Sequence, residues 1–333
     1  MPEQGIRKNK TVLITGGLGF IGGHFARLML GEGFNVINID KITYASNIKL
    51  GEYFSKQFPT QYRFIKKDIN DLTELPYSDY IVHFAAESHV DNSINASGVF
   101  IKSNILGTHN LLNLLIKGRT HNLLHDWKFK TPNFIYISTD EVFGDIKEGH
   151  FKEDDRHNPS NPYSATKSAA EMLVKSFGRT YGLPYIITRT TNNYGERQHP
   201  EKLVSFCLTQ INKGAKIRIH GSGEQVRNWI YVRDNCRAIY DVMLRGETGE
   251  TYHISSPEEY SVSHVARTVL ALHDKPFNDN TVEFIQDRSG QDMRYALDSS
   301  KIREKLNWAP QYTFNDAIKK IAASYNDERQ LFS

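Results

Sequence analysis

Apolar residues in this chain come in short dense runs, and each run closes on small or acidic residues. Thr11-Val-Leu-Ile-Thr15 has the pattern of a buried strand and stops at Gly16-Gly17-Leu18-Gly19-Phe20-Ile21-Gly22, after which Phe25 to Leu30 continue as an apolar helix face. Further runs are Asn35-Val-Ile-Asn-Ile39 before Asp40, Tyr62-Arg-Phe-Ile65 before Asp68-Ile69, and Ile81-Val-His-Phe-Ala85-Ala86. Phe134-Ile-Tyr-Ile137 then closes on Ser138-Thr139, and Tyr185-Ile-Ile-Thr-Arg-Thr190 on Asn192-Asn193. Between the last two, Tyr163-Ser-Ala-Thr-Lys167-Ser-Ala-Ala-Glu-Met-Leu-Val174 has helical spacing. This alternation predicts an α/β fold with a doubly wound parallel sheet over 1–190, followed by a smaller C-terminal α/β lobe over 191–333.

The glycines of the first turn meet three needs: a tight bend, backbone approach to a pyrophosphate, and close packing of helix on strand at an anion-favouring helix start. Gly16, Gly19, Phe20, Ile21 and Gly22 are therefore candidate dinucleotide ligands. Asp40 stands about 20 residues past the motif, where a carboxylate hydrogen-bonds an adenosine ribose and repels a 2′-phosphate, which favours NAD over NADP even with Lys41 beside it. Asp68 and Ile69 are placed to reach the adenine, and the small Ala85 and Ala86 let a cofactor lie against the backbone. Together these positions describe a Rossmann-type domain.

Thr139-Asp140-Glu141 and Tyr163-x-x-x-Lys167 carry the candidate chemistry. The i, i+4 spacing puts tyrosine and lysine on one helix face, where an ammonium would favour the phenolate over the phenol, whose reference pKa is about 10. Two adjacent carboxyls add an acid and a base, which a simple dehydrogenase does not need. Each pattern alone also fits an ordinary helix or polar turn; their order behind a nucleotide-binding N-terminus is what gives them weight.

The chain resembles the extended short-chain dehydrogenase/reductases and, within them, the nucleotide-sugar 4,6-dehydratases, most closely those acting on dTDP-glucose. The matching segments are Thr15-Gly-Gly-Leu-Gly-Phe-Ile-Gly22, Ala85-Ala-Glu-Ser-His-Val-Asp91, Ser138-Thr-Asp-Glu-Val-Phe-Gly-Asp145, Pro162-Tyr-Ser-Ala-Thr-Lys167, Asn192-Asn-Tyr-Gly195, Pro200-Glu-Lys-Leu203, Arg227-Asn-Trp-Ile-Tyr-Val232 and Arg294-Tyr-Ala-Leu-Asp298. The resemblance implies that Tyr163, aided by Lys167 and Thr139, removes the proton of a glucosyl 4-hydroxyl while hydride passes to NAD. Glu141 then takes the C5 proton, Asp140 protonates the departing 6-hydroxyl, and hydride returns to C6, so the NAD stays bound. The residues by themselves leave the roles of Asp140 and Glu141 interchangeable. The resemblance further implies substrate contacts at Ser88, Asn192, Asn193, Lys202, Leu203, Arg227, Arg294 and Tyr295, with the two arginines as diphosphate clamps. It places 229–255 partly back with the first domain. It also implies a homodimer joined by a four-helix bundle from the helices around Ser97 to Ile116 and Tyr163 to Tyr181, where Ala165, Ala169 and Ala170 permit close packing.

Four departures bear on the nucleotide. Tyr252-His-Ile-Ser-Ser256 replaces a usual Tyr-Asn-Ile-Gly-Gly, and Arg288-Ser-Gly-Gln-Asp292 replaces Arg-Pro-Gly-His-Asp; Asn228 replaces an aspartate and Phe143 a tyrosine. UDP-glucose is accordingly the alternative to dTDP-glucose. A same-fold epimerase or decarboxylase would not need Asp140-Glu141, and a non-catalytic NAD- or sugar-nucleotide-binding protein would tolerate loss of Tyr163.

Composition agrees with an enzyme in the cytosol. The chain has 333 residues, 39% of them hydrophobic, which suits two domains. No apolar stretch reaches the roughly 20 residues that span a bilayer, and no signal-peptide core is visible at the start. Cys207 and Cys236 form no metal or redox spacing and are expected to be buried or half-buried. A net charge of +3 without a basic cluster excludes a nucleic-acid surface. His121 and His125 have the spacing of metal ligands, but no further ligand completes a site; they are read as part of a surface insertion running to Lys130, and no metal is expected.

Overall fold

The computed structural model describes residues 10–120, 132–287 and 291–332. His121, His125, the insertion to Lys130 and Arg288-Ser289-Gly290 lie outside the described residues. The chain packs as two units: 1–139 with 161–189 and 239–252, and 140–160 with 190–238 and 253–333. The sequence boundary at 190 therefore sits beside a second crossing at 140, and of the expected return over 229–255 the stretch 239–252 packs with the first unit.

The first unit is built on a seven-stranded sheet in the order β10-β6-β5-β4-β1-β2-β3. Its strands are β1 (Thr11–Thr15), β2 (Asn35–Asp40), β3 (Tyr62–Lys66), β4 (Tyr80–His83), β5 (Asn133–Thr139), β6 (Tyr185–Thr190) and β10 (Thr251–Ile254). The pairs β2–β3, β1–β2, β1–β4 and β4–β5 are parallel. Near-continuous apolar strands are what a sheet covered on both faces requires, and the interiors of β1, β4 and β5 are buried. The chain runs outward from β1 to β3, then restarts at β4 on the other side. That reversal opens a crevice past the carboxyl ends of β1 and β4, the usual ligand position in such sheets.

The helix Pro162–Tyr181 has unambiguous ends. Asn161 accepts from Ser164 N in a capping box, Pro162 occupies the first turn, and Gly182 stops the helix at φ 63°. Its Ala170, Val174 and Phe177 enter a core with Leu111, Leu115, Phe134 and Ile187. The helical stretch before it is less regular, because Ile101–Leu106 forms a π-turn between Ser97–Phe100 and Gly107–Thr120.

The second unit contains a three-stranded sheet β11-β9-β7, with β7 (Asn192–Tyr194), β9 (Val226–Tyr231) and β11 (Glu259–Ser261). A parallel pair, β8 (Ile217–His220) and β12 (Val282–Ile285), forms a separate two-stranded sheet. Tyr194, Tyr231 and Phe314 are almost completely buried, and Tyr194, Trp229, Tyr260 and Phe314 pack ring against ring. Cys207 and Cys236 are both buried, and neither forms a disulfide.

Candidate active site

The first unit carries the glycine turn. Gly16 has φ +73°, and a Cβ built on it would stand 2.7 Å from the backbone nitrogen of Ala85. A Cβ on Gly22 would meet Gly16 O at 2.3 Å. Glycine is thus required at both positions, one for backbone handedness and close approach, the other for packing helix on turn. The helix Phe20–Gly31 begins after Gly19 with no side-chain cap, which leaves its start suited to an anion.

Asp40 is buried and already engaged. Its Oδ2 accepts Leu18 N at 3.1 Å, and its Oδ1 accepts Ile42 N at 2.8 Å and Ser46 Oγ at 3.1 Å. Ile42 is held at φ 63°, an unfavourable conformation for a β-branched residue, and it marks this corner as a constrained one. Neither Ser46 nor Ile42 was visible as a site residue in sequence, since neither belongs to a motif. Asn38 was missed as well; it accepts Gly17 N at 3.0 Å and donates to Tyr62 Oη at 2.9 Å.

Lys41 lies 3.8 Å from Asp68 and 3.6 Å from Glu87. Burial pushes the Asp68 carboxyl up, but the two N–H groups it accepts from Asn70, with Lys41 nearby, hold it below the ordinary value. The Ile69 side chain is buried in the core, so that residue presents backbone alone. Ala85 donates its N–H to Thr15 Oγ1 at 3.3 Å, and Ala86 and Ser88 follow in the same loop, Ser88 exposed.

Tyr163 and Lys167 lie one turn apart on the helix Pro162–Tyr181, and both are buried. Lys167 Nζ donates to Ile137 O at 2.6 Å and stands 4.3 Å over the Tyr136 ring. Burial pushes this amine down to about 7, against the attraction of Glu171. Glu171 is fully buried, as is its partner Arg189, which donates Nη2 to Oε2 at 2.8 Å and Nε to both oxygens. Ser138 Oγ also donates to Glu171. The strand end that carries Thr139 is therefore fastened to the helix that carries Tyr163 by two separate links. Composition could not reveal the Glu171–Arg189 pair, because charged residues read as surface until the fold brings them together.

Past Thr139 the chain turns through Asp140–Phe143. Asp140 is 3% exposed and Glu141 half-buried, so adjacent carboxyls sit in unequal surroundings. Also in the second unit, Tyr295 Oη donates to Asp292, which accepts Ser160 Oγ at 2.7 Å. Burial pushes the Tyr295 phenol up, Glu141 adds to this, and Arg227 opposes it. The Arg227 guanidinium lies 4.4 Å over the Tyr295 ring and donates to the carbonyls of Val226, Asp292 and Met293.

Arg294 forms a bidentate pair with Glu259 at 2.7 and 2.8 Å and donates Nη1 to Gly149 O. Both arginines are thus steered by protein groups, and Glu259 occupies the guanidinium fork that an anion would use. Asn193 donates to Thr190 Oγ1 and Thr191 O, while its Oδ1 is buried without a partner among the described residues. Asn192 begins β7 beside it. Lys202 is the extended residue before the helix Leu203–Asn212, with Leu203 opening the helix. No group of three metal-ligating side chains occurs among the described residues.

The departures in the second unit have structural employment. Asn228 Nδ2 donates to the carbonyls of Ser256 and Glu258, a task an aspartate cannot perform. Ser255 Oγ donates to Leu297 O and is hydrogen-bonded with the Ser299 hydroxyl at 2.9 Å, and Ser256 Oγ donates to Trp229 O. His253 Nδ1 bonds Asp298 O at 3.1 Å, and Phe143 stacks on Phe151 at 4.7 Å. Asn228, His253, Ser255, Ser256 and Phe143 are thus each engaged by an internal contact.

The family model for GDP-mannose 4,6 dehydratase matches residues 13–321. A dTDP-glucose 4,6-dehydratase of Xanthomonas campestris pv. campestris is 39% identical over 323 residues, covering 92% of this chain and 91% of that protein. The low-salt glycan biosynthesis protein Agl12 of Haloferax volcanii is 40% identical over 320 residues, 94% of this chain and 98% of that one. Among solved structures, DesIV, a dTDP-glucose 4,6-dehydratase from Streptomyces venezuelae solved with NAD bound, matches with a TM-score of 0.89 at 35% identity, covering 97% of this chain and 99% of that chain. With its glycine turn, its strand end and its tyrosine–lysine helix in one fold, the chain belongs to the nucleotide-sugar 4,6-dehydratase family of the extended short-chain dehydrogenase/reductases.

Proposed function

We propose that this protein is an NAD-dependent hydro-lyase that converts dTDP-glucose to its 4-keto-6-deoxy sugar nucleotide. The observation that carries the reading is the end of β5: Thr139 runs directly into buried Asp140 and half-buried Glu141, with Lys167 anchored two residues upstream on the same strand.

Gly16 and Gly22, where any side chain would collide with backbone, fit a dinucleotide against the turn, and Asp40 is held ready for a ribose. When bound there, NAD would supply reversible hydride transfer, taking hydride from C4 and giving it back at C6. Tyr163 Oη takes the proton of the sugar 4-hydroxyl, Thr139 Oγ1 orients that hydroxyl, and Lys167 stabilises the phenolate. A ketone at C4 makes the C5 proton acidic. Glu141 removes it, Asp140 protonates the 6-oxygen as it leaves in water, and C5 regains a proton when hydride reaches C6. The unequal burial of the two carboxyls supports Asp140 as the proton-bearing member.

Arg227, Lys202 and Asn193 serve the diphosphate side, while Arg294, whose fork is taken by Glu259, holds that carboxylate instead. The internal use of Asn228, Ser255 and Ser256 removes the reason to invoke a different base, which favours dTDP over UDP. The enzyme works in the cytoplasm as a homodimer. Two buried cysteines outside any disulfide and the absence, among the described residues, of a helix long and apolar enough to cross a membrane fit that location. Exposed Val99, Ile101 and Leu106 on one helical stretch and Met172 on the other supply an apolar face for a second copy.

The reading is tested by incubating the protein with NAD and either dTDP-glucose or UDP-glucose in heavy water. Loss of one water with gain of one deuteron identifies the reaction, and the relative rates name the base. Both substrates returned unchanged would sink it.

A further inference from the structure

A buried chain of hydrogen bonds runs behind the glycine turn, and its direction is settled by its two ends. Thr108 Oγ1 donates to Asn104 O at 2.7 Å, and a carbonyl can only accept, so the Thr108 proton is committed. Thr108 must therefore accept from His83 Nε2, which stands 2.9 Å away and carries the hydrogen. His83 Nδ1 is then an acceptor, and Thr15 Oγ1 donates to it at 2.7 Å. The remaining acceptor capacity of Thr15 takes Ala85 N–H at 3.3 Å. Asn104 continues the chain through its side chain: Oδ1 accepts Glu87 N, while Nδ2 donates to Glu87 O and to Thr166 Oγ1, which donates to Tyr163 O.

His83 is 2% exposed at the end of β4. Burial, reinforced by Lys167, holds its imidazole down to about 3, so it is neutral. Every hydroxyl in the chain donates once and accepts once, which leaves a single arrangement of protons. The pieces so fixed are Thr15 just before Gly16, the backbone of Ala85 that faces Gly16, and the Glu87 loop, while Asn104 carries the chain on to the first turn of the Tyr163 helix.

We infer that His83, as its Nε2–H tautomer, is a positioning residue that fixes the two backbone walls of the dinucleotide cradle. The inference rests on the cradle binding NAD, as argued above. Replacing the imidazole with an apolar group would leave the Thr15 hydroxyl without its acceptor and Thr108 without its donor inside the protein. Glutamine, which can accept with Oε1 and donate with Nε2, would restore both.

The test pairs His83→Leu with His83→Gln. NAD affinity of the purified proteins is measured calorimetrically, and thermal unfolding of the NAD-free forms is followed alongside. The expected result is about a tenfold loss of NAD affinity in His83→Leu, matching one lost buried partner, with most of it recovered in His83→Gln. Nitrogen-15 spectra of the imidazole in the wild-type protein should show the Nε2–H form unchanged from pH 5 to pH 8. Wild-type NAD binding with His83→Leu binding equally well, or an imidazole that titrates near its usual pKa, would overturn the inference. A wild-type protein that binds no NAD would overturn the cofactor reading and the inference with it. Should His83→Leu fail to fold, the tautomer spectrum and His83→Gln still decide.

Discussion

Lys167 donates from Nζ to the carbonyl oxygen of Ile137 at 2.6 Å, which ties the helix carrying Tyr163 to the strand that ends in Thr139. The bond fixes where the amine sits, and burial fixes how readily it is charged.

From that burial follows a pH dependence. The amine is at about 7 in the fold against 10.5 when free, so between those values the unfolded chain binds more protons than the native one. Stability attributable to Lys167 must then rise with pH across the window, with the full penalty present below about 7. In the NAD-free protein, the difference in unfolding free energy between wild type and Lys167→Met should climb from pH 7 to pH 10 and be flat at lower pH. A difference that stays flat throughout would show that the amine keeps its ordinary value.

Glu141→Gln should stop the reaction after oxidation at C4. Removing a general base costs roughly 10²–10⁴-fold, and the C5 proton should no longer exchange with solvent. The check is twofold: turnover falls by that factor, while the near-ultraviolet band of reduced nicotinamide builds up on mixing with substrate. Asp140→Asn should instead retain C5 exchange and lose elimination.

Glu171→Gln leaves the fully buried Arg189 without its counter-charge. Breaking one side of such a pair costs about 3–5 kcal/mol, far more than a surface pair is worth. Urea unfolding should show a loss of that size, whereas Lys10→Met, which removes a partly exposed partner of Asp79, should cost less than about 1 kcal/mol.

Gly16→Ala puts a methyl 2.7 Å from Ala85 N and forces a side chain into the left-handed region. Either Ala85 moves or the turn opens, and the cradle changes shape in both cases. NAD binding should fall by at least an order of magnitude in a titration, while Gly31→Ala, where the added methyl meets nothing within 4 Å, should bind as wild type.

What could be read from the chain was what depends on neighbours in sequence. Gly16 and Gly22 declare a turn because only glycine meets its steric terms. Tyr163 and Lys167 declare a shared face because a helix repeats every 3.6 residues. Thr139-Asp140-Glu141 stands out as a candidate because its two carboxyls are adjacent by covalent bond.

What the chain could not declare depends on groups far apart in sequence. His83 meets Thr15 and Thr108, Glu171 meets Arg189 and Ser138, and Arg294 meets Glu259 only after folding. Asn228 and Ser256 looked like changes at a binding surface until their bonds to each other's strands were seen. The order of strands and helices, the glycine turn and the candidate reactive side chains could be read from the chain, since these follow from local sterics and periodicity. Tertiary structure alone decided how deeply each titratable group is buried and which partner it meets, because desolvation and hydrogen bonding are set by whatever distant residues the fold packs around it.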